Sequence, residues 1–172
     1  MKVFVSPHLS TILTAVLLLK SHPQLHDGGI TLVLYPYAKE KVLGASTWPV
    51  SREQLNNFAR ALEQATPGIS FDFSLMDAFE HPNCWFIDIL SDEAQKNLLN
   101  SKVENYNVMA PTHAMLERHY KAHGEIENAE GFYDRIRLLK QKLRNELTHE
   151  MTEVMNISPN NKILLVTHDS IL

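Results

Sequence analysis

The stretch Asn161-Lys-Ile-Leu-Leu-Val-Thr-His-Asp-Ser170 decides which fold the rest of the chain is expected to adopt. Residues 163–166 are apolar without alternation, and such a run with β-branched members is typical of a parallel-sheet strand buried on both faces. After this run come Thr167 and then His168. In open α/β sheets, functional groups lie just beyond the carboxyl ends of the strands. The stretch therefore predicts an α/β protein with an imidazole at its functional edge; the alternative is a loop histidine bonded to a neighbouring carbonyl.

The beginning of the chain predicts a β-α-β unit. Lys2–Val5 and Ile30–Leu34 are short apolar runs, and the helix expected between them, Leu9–Lys20, carries apolar residues at helical spacing. Two strands of one sheet that are joined through a helix run parallel. The first two strands are therefore expected to lie side by side in the same direction.

Further helix and strand signals follow. Ser51 with Gln54 forms a capping-box pattern at the start of a helix. Residues 69–75 alternate apolar and polar, which fits a strand or an ordered loop with aromatic anchors, and residues 70–127 are expected to form an insertion or cap-like region. The longest helix is expected to start at Asn128. Together these signals predict a three-layer α/β fold, with a mostly parallel sheet flanked by helices, in a single domain over residues 1–172.

The composition limits the classes of function. The chain has 172 residues, of which 44% are hydrophobic and 21% charged, as is ordinary for a globular protein. A formal net charge of -4 argues against a general nucleic-acid binder. The apolar run over residues 12–19 is too short to cross a bilayer, and no cleavage-site pattern follows it, so neither a membrane protein nor a secreted protein is expected. The single cysteine, Cys84, is interpreted as a structural thiol, and we expect a cytoplasmic protein.

Three turns are expected to meet at one edge of the sheet. Ser6 follows the first strand, Lys39 and Glu40 follow the second, and His168 follows the last. Because the carboxyl ends of parallel strands share an edge, Glu40, Lys39 and His168 are expected to converge on one pocket. A carboxyl group beside an imidazole suits proton transfer to a leaving group at a charged or phosphorylated centre. The alternative interpretation of residues 39–41 is a solvated charge run.

Five segments occur in an order that resembles the motif order of a known family. They are Val5-Ser-Pro-His-Leu-Ser-Thr-Ile-Leu-Thr-Ala15, Pro36-Tyr-Ala-Lys-Glu40, Phe71-Asp-Phe-Ser74 with the later Trp85, the helix over Phe132 to Leu143 with Arg135, and the strand and turn from Ile163 to Ser170. In this order they resemble the histidine phosphatase superfamily, also called phosphoglycerate mutase-like. Three of the corresponding family motifs are Ser-Pro-Leu-x-Arg-Thr-x-Gln-Thr-Ala, Pro-Leu-Leu-Arg-Glu and Val-Val-Ser-His-Gly-Gly.

The resemblance implies a phosphoglycerate mutase-like fold and a reaction. The family hydrolyses phosphate esters or transfers phosphoryl groups through a phosphohistidine, and the resemblance places Glu40 as proton donor and His168 as the phosphate-stabilising histidine. Lys39 would be an auxiliary cation, and Ser6 and Ser10 would lie in the substrate-binding turn. Phosphoryl transfer depends on positioning and on charge neutralisation, which such groups supply. The implied partner is a phosphorylated small molecule or a phosphoprotein, with no cofactor.

The chain also departs from the family pattern. It contains no Arg-His-Gly, the motif that carries the family's nucleophile, and relative to the family the domain is expected to be incomplete at both ends. Ser10 stands where the family has a phosphate-binding arginine, Leu13 where it has glutamine, and Asp169 and Ser170 where it has two glycines. We therefore expect this chain to be inactive as it stands. His8 is interpreted as a turn-capping surface histidine rather than as a replacement nucleophile.

Two other interpretations remain open on the sequence alone. The chain could be a pseudoenzyme that binds a phosphorylated ligand or a protein, or a helical interaction module built around residues 128–147, in which the α/β resemblance is accidental. A metal site is not expected: His119 and His123 share one face of a predicted helix, but the sequence offers no obvious third ligand.

Overall fold

A computed structural model describes residues 1–27, 29–41, 49–77, 79, 85–89, 127, 129–153 and 164–168, with the backbone alone for 87–88 and 146–153. The strands are β1 (Lys2–Val5), β2 (Ile30–Leu34), β3 (Ile69–Asp72) and β4 (Leu165–Val166). The α-helices are α1 (Leu9–Leu19), α2 (Gln24–Asp27), α3 (Arg52–Ala65) and α4 (Ala129–Glu153). Short 3₁₀ helices span Pro36–Ala38, Ser74–Met76 and Trp85–Ile89.

Several sequence predictions lie outside the described residues. The sequence predicts a short helix over residues 91–99 and another over 111–124 that carries His119 and His123, and both fall outside the described ranges. Cys84, Asp169 and Ser170 fall outside them too. Most of the region expected to form an insertion, 70–127, is also outside.

The four strands form one sheet in the order β3-β2-β1-β4, and every neighbouring pair is parallel. In the first pair, Lys2 lies opposite Thr31 and Val5 opposite Leu34. The predicted β-α-β unit and the parallel α/β sheet are therefore confirmed. Because all strands run the same way, the turns after β1, β2 and β4 lie at one edge.

Helices cover both faces of the sheet. Along β1 the side chains alternate: Val3 and Val5 belong to the hydrophobic cluster that includes Ile12 of α1, whereas Phe4 packs in the cluster that includes Leu139 of α4. This alternation follows from the two-residue period of a strand. The described part of the chain thus has three layers, with α1 on one face of the sheet and α4 on the other.

The last strand is less buried than its sequence predicts. Leu164 is 45% exposed, and Leu165 and Val166 are partly buried. In the described sheet β4 pairs with β1 alone, through Phe4 opposite Leu165 and Val5 opposite Val166. The prediction of a strand buried on both faces is therefore wrong for these residues, because β4 lies at an edge of the described sheet.

The remaining local signals agree with the structure. At α3 both capping-box hydrogen bonds form, from Gln54 N–H to Oγ of Ser51 and from Ser51 N–H to Oε1 of Gln54. Residues 69–75 form β3 and the start of a 3₁₀ helix, so the strand alternative holds for the first part of that stretch.

No helix in the described ranges is both long enough and apolar enough to span a membrane.

Candidate functional site

His168 lies just after β4, where its ring contacts the start of α1. The Nε2 atom of His168 lies 3.1 Å from Oγ of Ser6 and 3.2 Å from Oγ1 of Thr11. Ser6 directly follows β1, and Thr11 lies in the first turn of α1. The connection between β1 and α1 therefore forms one wall around the imidazole and places two hydroxyl groups at the same nitrogen.

Glu40 lies at the other nitrogen of the same ring. Its Oε2 atom is 3.5 Å from Nδ1 of His168, and the two side chains are 28% and 12% exposed. Glu40 and His168 thus meet as expected, and the pair lies where solvent or a ligand can reach it. The side chain of Lys39, the third residue expected at this place, pairs with Glu127 instead. The catalytic roles of Glu40 and His168 stay predictions.

The two serines expected in the substrate-binding turn occupy different environments. Ser6 is completely buried and contacts His168. Ser10 lies exposed on α1, and its carbonyl oxygen accepts a hydrogen bond of 2.8 Å from Oγ1 of Thr14. Ser6 therefore belongs to the wall around the imidazole, whereas Ser10 lies on the outer surface of the same helix end.

The side chain of Lys39 does not extend into solvent. The interpretation of residues 39–41 as a solvated charge run is therefore wrong for Lys39. Its side chain is completely buried, with Nζ 2.9 Å from Oε2 of Glu127 and 3.4 Å from the carbonyl oxygen of Glu40. Burying an ammonium group costs several kcal/mol, roughly, unless a charged partner offsets the loss of hydration. A contact between Lys39 and phosphate stays a prediction, and it would require this ion pair to open.

Arg135 of α4 completes a buried cluster with Glu127 and Lys39, which we call the carbonyl clamp. The Nε and Nη2 atoms of Arg135 lie 2.7 and 3.1 Å from the two carboxylate oxygens of Glu127. Its Nη1 atom donates to the carbonyl oxygens of Tyr37 and Lys39, both at 2.8 Å. Arg135 suits this position because its guanidinium presents several donors in a fixed plane.

The segment that carries Glu40 is held at consecutive carbonyl groups. Besides the two bonds from the clamp's arginine, Oγ1 of Thr167 donates to the carbonyl oxygen of Ala38 at 2.9 Å. Lys39 Nζ donates to the carbonyl oxygen of Glu40. Since Thr167 directly precedes His168, the strand end that carries the imidazole is tied to the segment that carries the carboxylate.

Burial and charge shift the pKa values inside the clamp. Burial, reinforced by the nearby charge of Arg135, lowers the pKa of Lys39 from its ordinary value, and Glu127 opposes this change. Burial alone would raise the pKa of Glu127, but the charges and hydrogen bonds of Lys39 and Arg135 outweigh it and hold the pKa of this carboxyl below its ordinary value. Glu127 is therefore a carboxylate near neutral pH, shared between two cationic side chains.

His8 is the residue whose position differs most from expectation. The sequence suggests a surface histidine that caps a turn, but the residue is 9% exposed and its side chain makes no capping bond to α1. Its ring packs edge-on against His168, with 4.7 Å between the ring centroids and an interplanar angle of 79°. His8 therefore belongs to the site, and the surface interpretation is wrong.

Sequence reasoning also missed Thr11 and Glu127. Thr11 carries a weak signal, since it lies in the first turn of the helix that follows Ser6. Glu127 precedes α4 in a stretch without a clear pattern, so only the folded chain reveals its partners.

The arrangement offers hydrogen-bond donors, an imidazole and a carboxyl group at one edge. Ser6, His168 and Glu40 form a hydroxyl–imidazole–carboxylate series, but Ser6 is completely buried. We therefore assign its hydroxyl to orienting the ring rather than to attack on a substrate. Among the described residues, no group of three or more His, Cys, Asp or Glu side chains is arranged to hold a metal ion.

A pocket of about 320 Å³ lies on the α4 side of the sheet. The Nζ atom of Lys142 lies 4.7 Å from the centroid of the Tyr37 ring. Tyr37 thus contributes its ring to this pocket and its carbonyl oxygen to the contacts of Arg135. The pocket is lined by Tyr35, Tyr37, Ser74, Leu75, Phe79, Lys142 and Asn145.

Comparison with known proteins does not assign the chain to a family. No family model, no curated protein and no solved structure matches it.

Proposed function

We propose that this chain is a histidine-phosphatase-like protein that binds the phosphate group of a phosphorylated ligand at the edge formed by Glu40, His168 and the first turn of α1. One observation supports the proposal above all. The imidazole of His168 lies between a carboxylate on one nitrogen and the start of a helix on the other, at the carboxyl ends of three parallel strands.

The chemistry of this edge suits a tetrahedral oxyanion. The start of a helix has backbone N–H groups without partners inside the helix, and the helix dipole favours negative charge there. His168, when protonated, adds a positive charge and a donor beside that turn. Glu40, when protonated, can give its proton to the oxygen that leaves a phosphate ester.

The ligand is a phosphorylated small molecule or a phosphoprotein, and the protein is placed in the cytoplasm. These two statements rest on the sequence, through the family resemblance and the single cysteine. The purely helical alternative is weaker, since α4 packs against a parallel sheet through Leu139 instead of standing alone.

Binding of inorganic phosphate and vanadate to the intact chain, followed by calorimetry, tests the proposal. We expect His168→Asn to weaken binding about tenfold or more, because about 1.4 kcal/mol corresponds to a factor of ten and charge-assisted hydrogen bonds contribute about that much. The matched control is His26→Asn, since His26 is exposed on α2. Equal affinity of wild type and His168→Asn would overturn the proposal.

Turnover of p-nitrophenyl phosphate separates hydrolysis from binding. Release of p-nitrophenol by the wild type, lost in both Glu40→Gln and His168→Asn, would make the chain a phosphatase. Binding of phosphate without turnover would make it a phosphate-binding relative, which is the outcome that we expect.

A further inference from the structure

His8 occupies the junction between the β1 turn and α1. Its backbone N–H donates to the carbonyl oxygen of Ser6 at 2.8 Å, and its carbonyl oxygen accepts from Ile12 N–H at 2.9 Å. The residue is therefore the N-cap of α1, fixed on both sides by backbone bonds, and its ring lies against His168. The position of the His8 imidazole is set by the fold.

The Nε2 atom of His8 is buried and has no hydrogen-bond partner in the described part of the chain. Buried polar atoms in folded proteins nearly always have a partner, because a buried donor or acceptor without one loses its hydration and gains no bond in return. An unsatisfied imidazole nitrogen beside a second imidazole therefore indicates a group that is bound in the working protein.

The same place is the start of an 11-residue helix with no side-chain cap. The first-turn N–H groups and the helix dipole favour an anion there. Two independent observations thus indicate a ligand at this place: the uncapped end of α1, which favours an anion, and the unpartnered nitrogen of His8.

We propose that His8 is the proton-accepting group of this site, so that a tetrahedral dianion bound between the first turn of α1 and His168 draws a proton onto the His8 imidazole. The inference rests on the proposed phosphate-binding function and deepens it. It makes anion binding and proton uptake one coupled event.

The electrostatic surroundings of His8 support this coupling. Burial, followed by the charges of His168, Lys39 and Arg135, lowers the pKa of His8 to about 3. The imidazole is therefore neutral in the unliganded protein near neutral pH. Three of the four causes are positive charges, which a bound dianion would counteract.

The charged groups around His8 come from several elements. His168 follows β4 and Arg135 belongs to α4, while Lys39 and Glu40 follow β2. Glu127 neutralises part of the charge of Lys39 and Arg135, and Glu40 pairs with His168. Among the described residues, these nearby carboxylates are thus already engaged with other cations, and an incoming anion would supply the negative charge that stabilises a positive His8.

The expected proton uptake follows from the rise in the pKa of His8 that a bound dianion would cause. An opposite charge within about 4–6 Å raises the pKa of a histidine by about 1–3 units, and a dianion acts at the upper end of this range. A rise of about three units brings half-protonation of His8 to about pH 6, where binding would take up about 0.5 proton at this residue.

Calorimetric titration with sulfate near pH 6 tests the inference, because sulfate is a tetrahedral dianion that does not itself titrate there. Repeating the titration in two buffers with different heats of ionisation gives the number of protons taken up per anion bound. We expect His8→Asn and His8→Phe to take up about 0.5 proton fewer than wild type, and His26→Asn to match wild type. The Phe variant keeps a ring against His168 in case the Asn variant folds poorly.

The outcomes distinguish the two proposals. If neither sulfate nor phosphate binds the wild type, the proposed function fails, and the inference fails with it. If sulfate binds and both His8 variants take up as many protons as wild type, the inference alone is overturned, and the phosphate-binding function stands.

Discussion

Glu127 and Arg135 form a buried two-point ion pair, with Nε–Oε1 and Nη2–Oε2 distances of 2.7 and 3.1 Å. Arg135 also donates to the two carbonyl oxygens that flank Ala38, in the segment leading to Glu40. The pair therefore links α4 to the turn that follows β2. A buried ion pair is thus joined to the segment that carries a residue of the candidate site.

The first prediction concerns this clamp. Glu127→Gln leaves Lys39 and Arg135 buried without their carboxylate, and removing one partner of a buried ion pair costs about 3–5 kcal/mol. Urea unfolding near neutral pH measures the loss. The unfolding free energy of Arg135→Lys should lie between those of wild type and Glu127→Gln, because a lysine keeps the charge but loses the planar fork of donors.

The control for the clamp lies on the same helix. Asp134 pairs with Arg137 at 3.0 Å, and both side chains are largely exposed. Asp134→Asn should change the stability by less than about 1 kcal/mol, because exposed ion pairs contribute little. An unfolding midpoint for Glu127→Gln equal to that of Asp134→Asn would show that the clamp does not stabilise the fold.

The second prediction concerns the pH dependence of stability. The folded protein holds His8 neutral, with a pKa of about 3 against an ordinary value of 6.5. Between these two values the unfolded chain binds a proton that the folded chain does not, so stability falls as the pH drops below about 6.5. Between about pH 7.5 and about pH 5.5, His8 therefore lowers the free energy of unfolding by about 1.4 kcal/mol.

A His8→Phe variant should lack that part of the acid sensitivity. Its stability relative to wild type should therefore improve by about 1.4 kcal/mol over the same pH interval, measured by urea unfolding at both pH values. His26→Gln, at an exposed position, serves as the control variant. Parallel pH profiles for wild type and His8→Phe would refute the assignment of a neutral, buried His8.

The third prediction concerns the start of α3. Ser51 and Gln54 exchange two hydrogen bonds, at 3.2 and 3.0 Å, that satisfy backbone N–H groups at the helix end. Ser51→Ala should cost about 1 kcal/mol, since it removes the cap. Gln64→Ala, at an exposed position of the same helix, should be nearly neutral, and chemical denaturation compares the two. Equal stability of these two variants would argue against the cap.

The fourth prediction concerns Gly68, just before β3. Its φ is +93°, and a Cβ atom there would lie 2.4 Å from the carbonyl oxygen of Leu25. Gly68→Ala should destabilise the protein by about 2 kcal/mol or more, from strain and overlap together. Gly68→Asn tolerates positive φ better but carries the same Cβ. If the melting temperature of Gly68→Asn lies close to that of wild type, the positive φ explains the loss in Gly68→Ala, and the overlap of the Cβ atom with Leu25 does not.

The local patterns of the chain predicted its elements well. The capping box of α3 and the bounds of β1 and β2 agree with the structure, because hydrogen bonding and apolar periodicity act over a few neighbouring residues. The burial of β4 was predicted less well. Apolarity shows that a strand tends to be buried, but the number of neighbouring strands decides how far it is.

For the candidate site, too, the sequence predicts some features and not others. The sequence predicts that Glu40 and His168 meet because both follow parallel strands, and the sheet places them 3.5 Å apart. It does not predict the environment of Lys39 or the burial of His8, because both depend on groups distant in the chain. The local sequence does not indicate whether a charged or titratable side chain will face water.

By itself, the order of apolar runs and helical stripes in this chain determined a parallel α/β sheet, and with it the edge where Glu40 and His168 lie. Which polar side chains became buried there, and with which partners, was decided by tertiary packing alone. The reason is physical: backbone periodicity is encoded within a few residues, whereas the free energy of a buried charge depends on whatever the fold brings beside it.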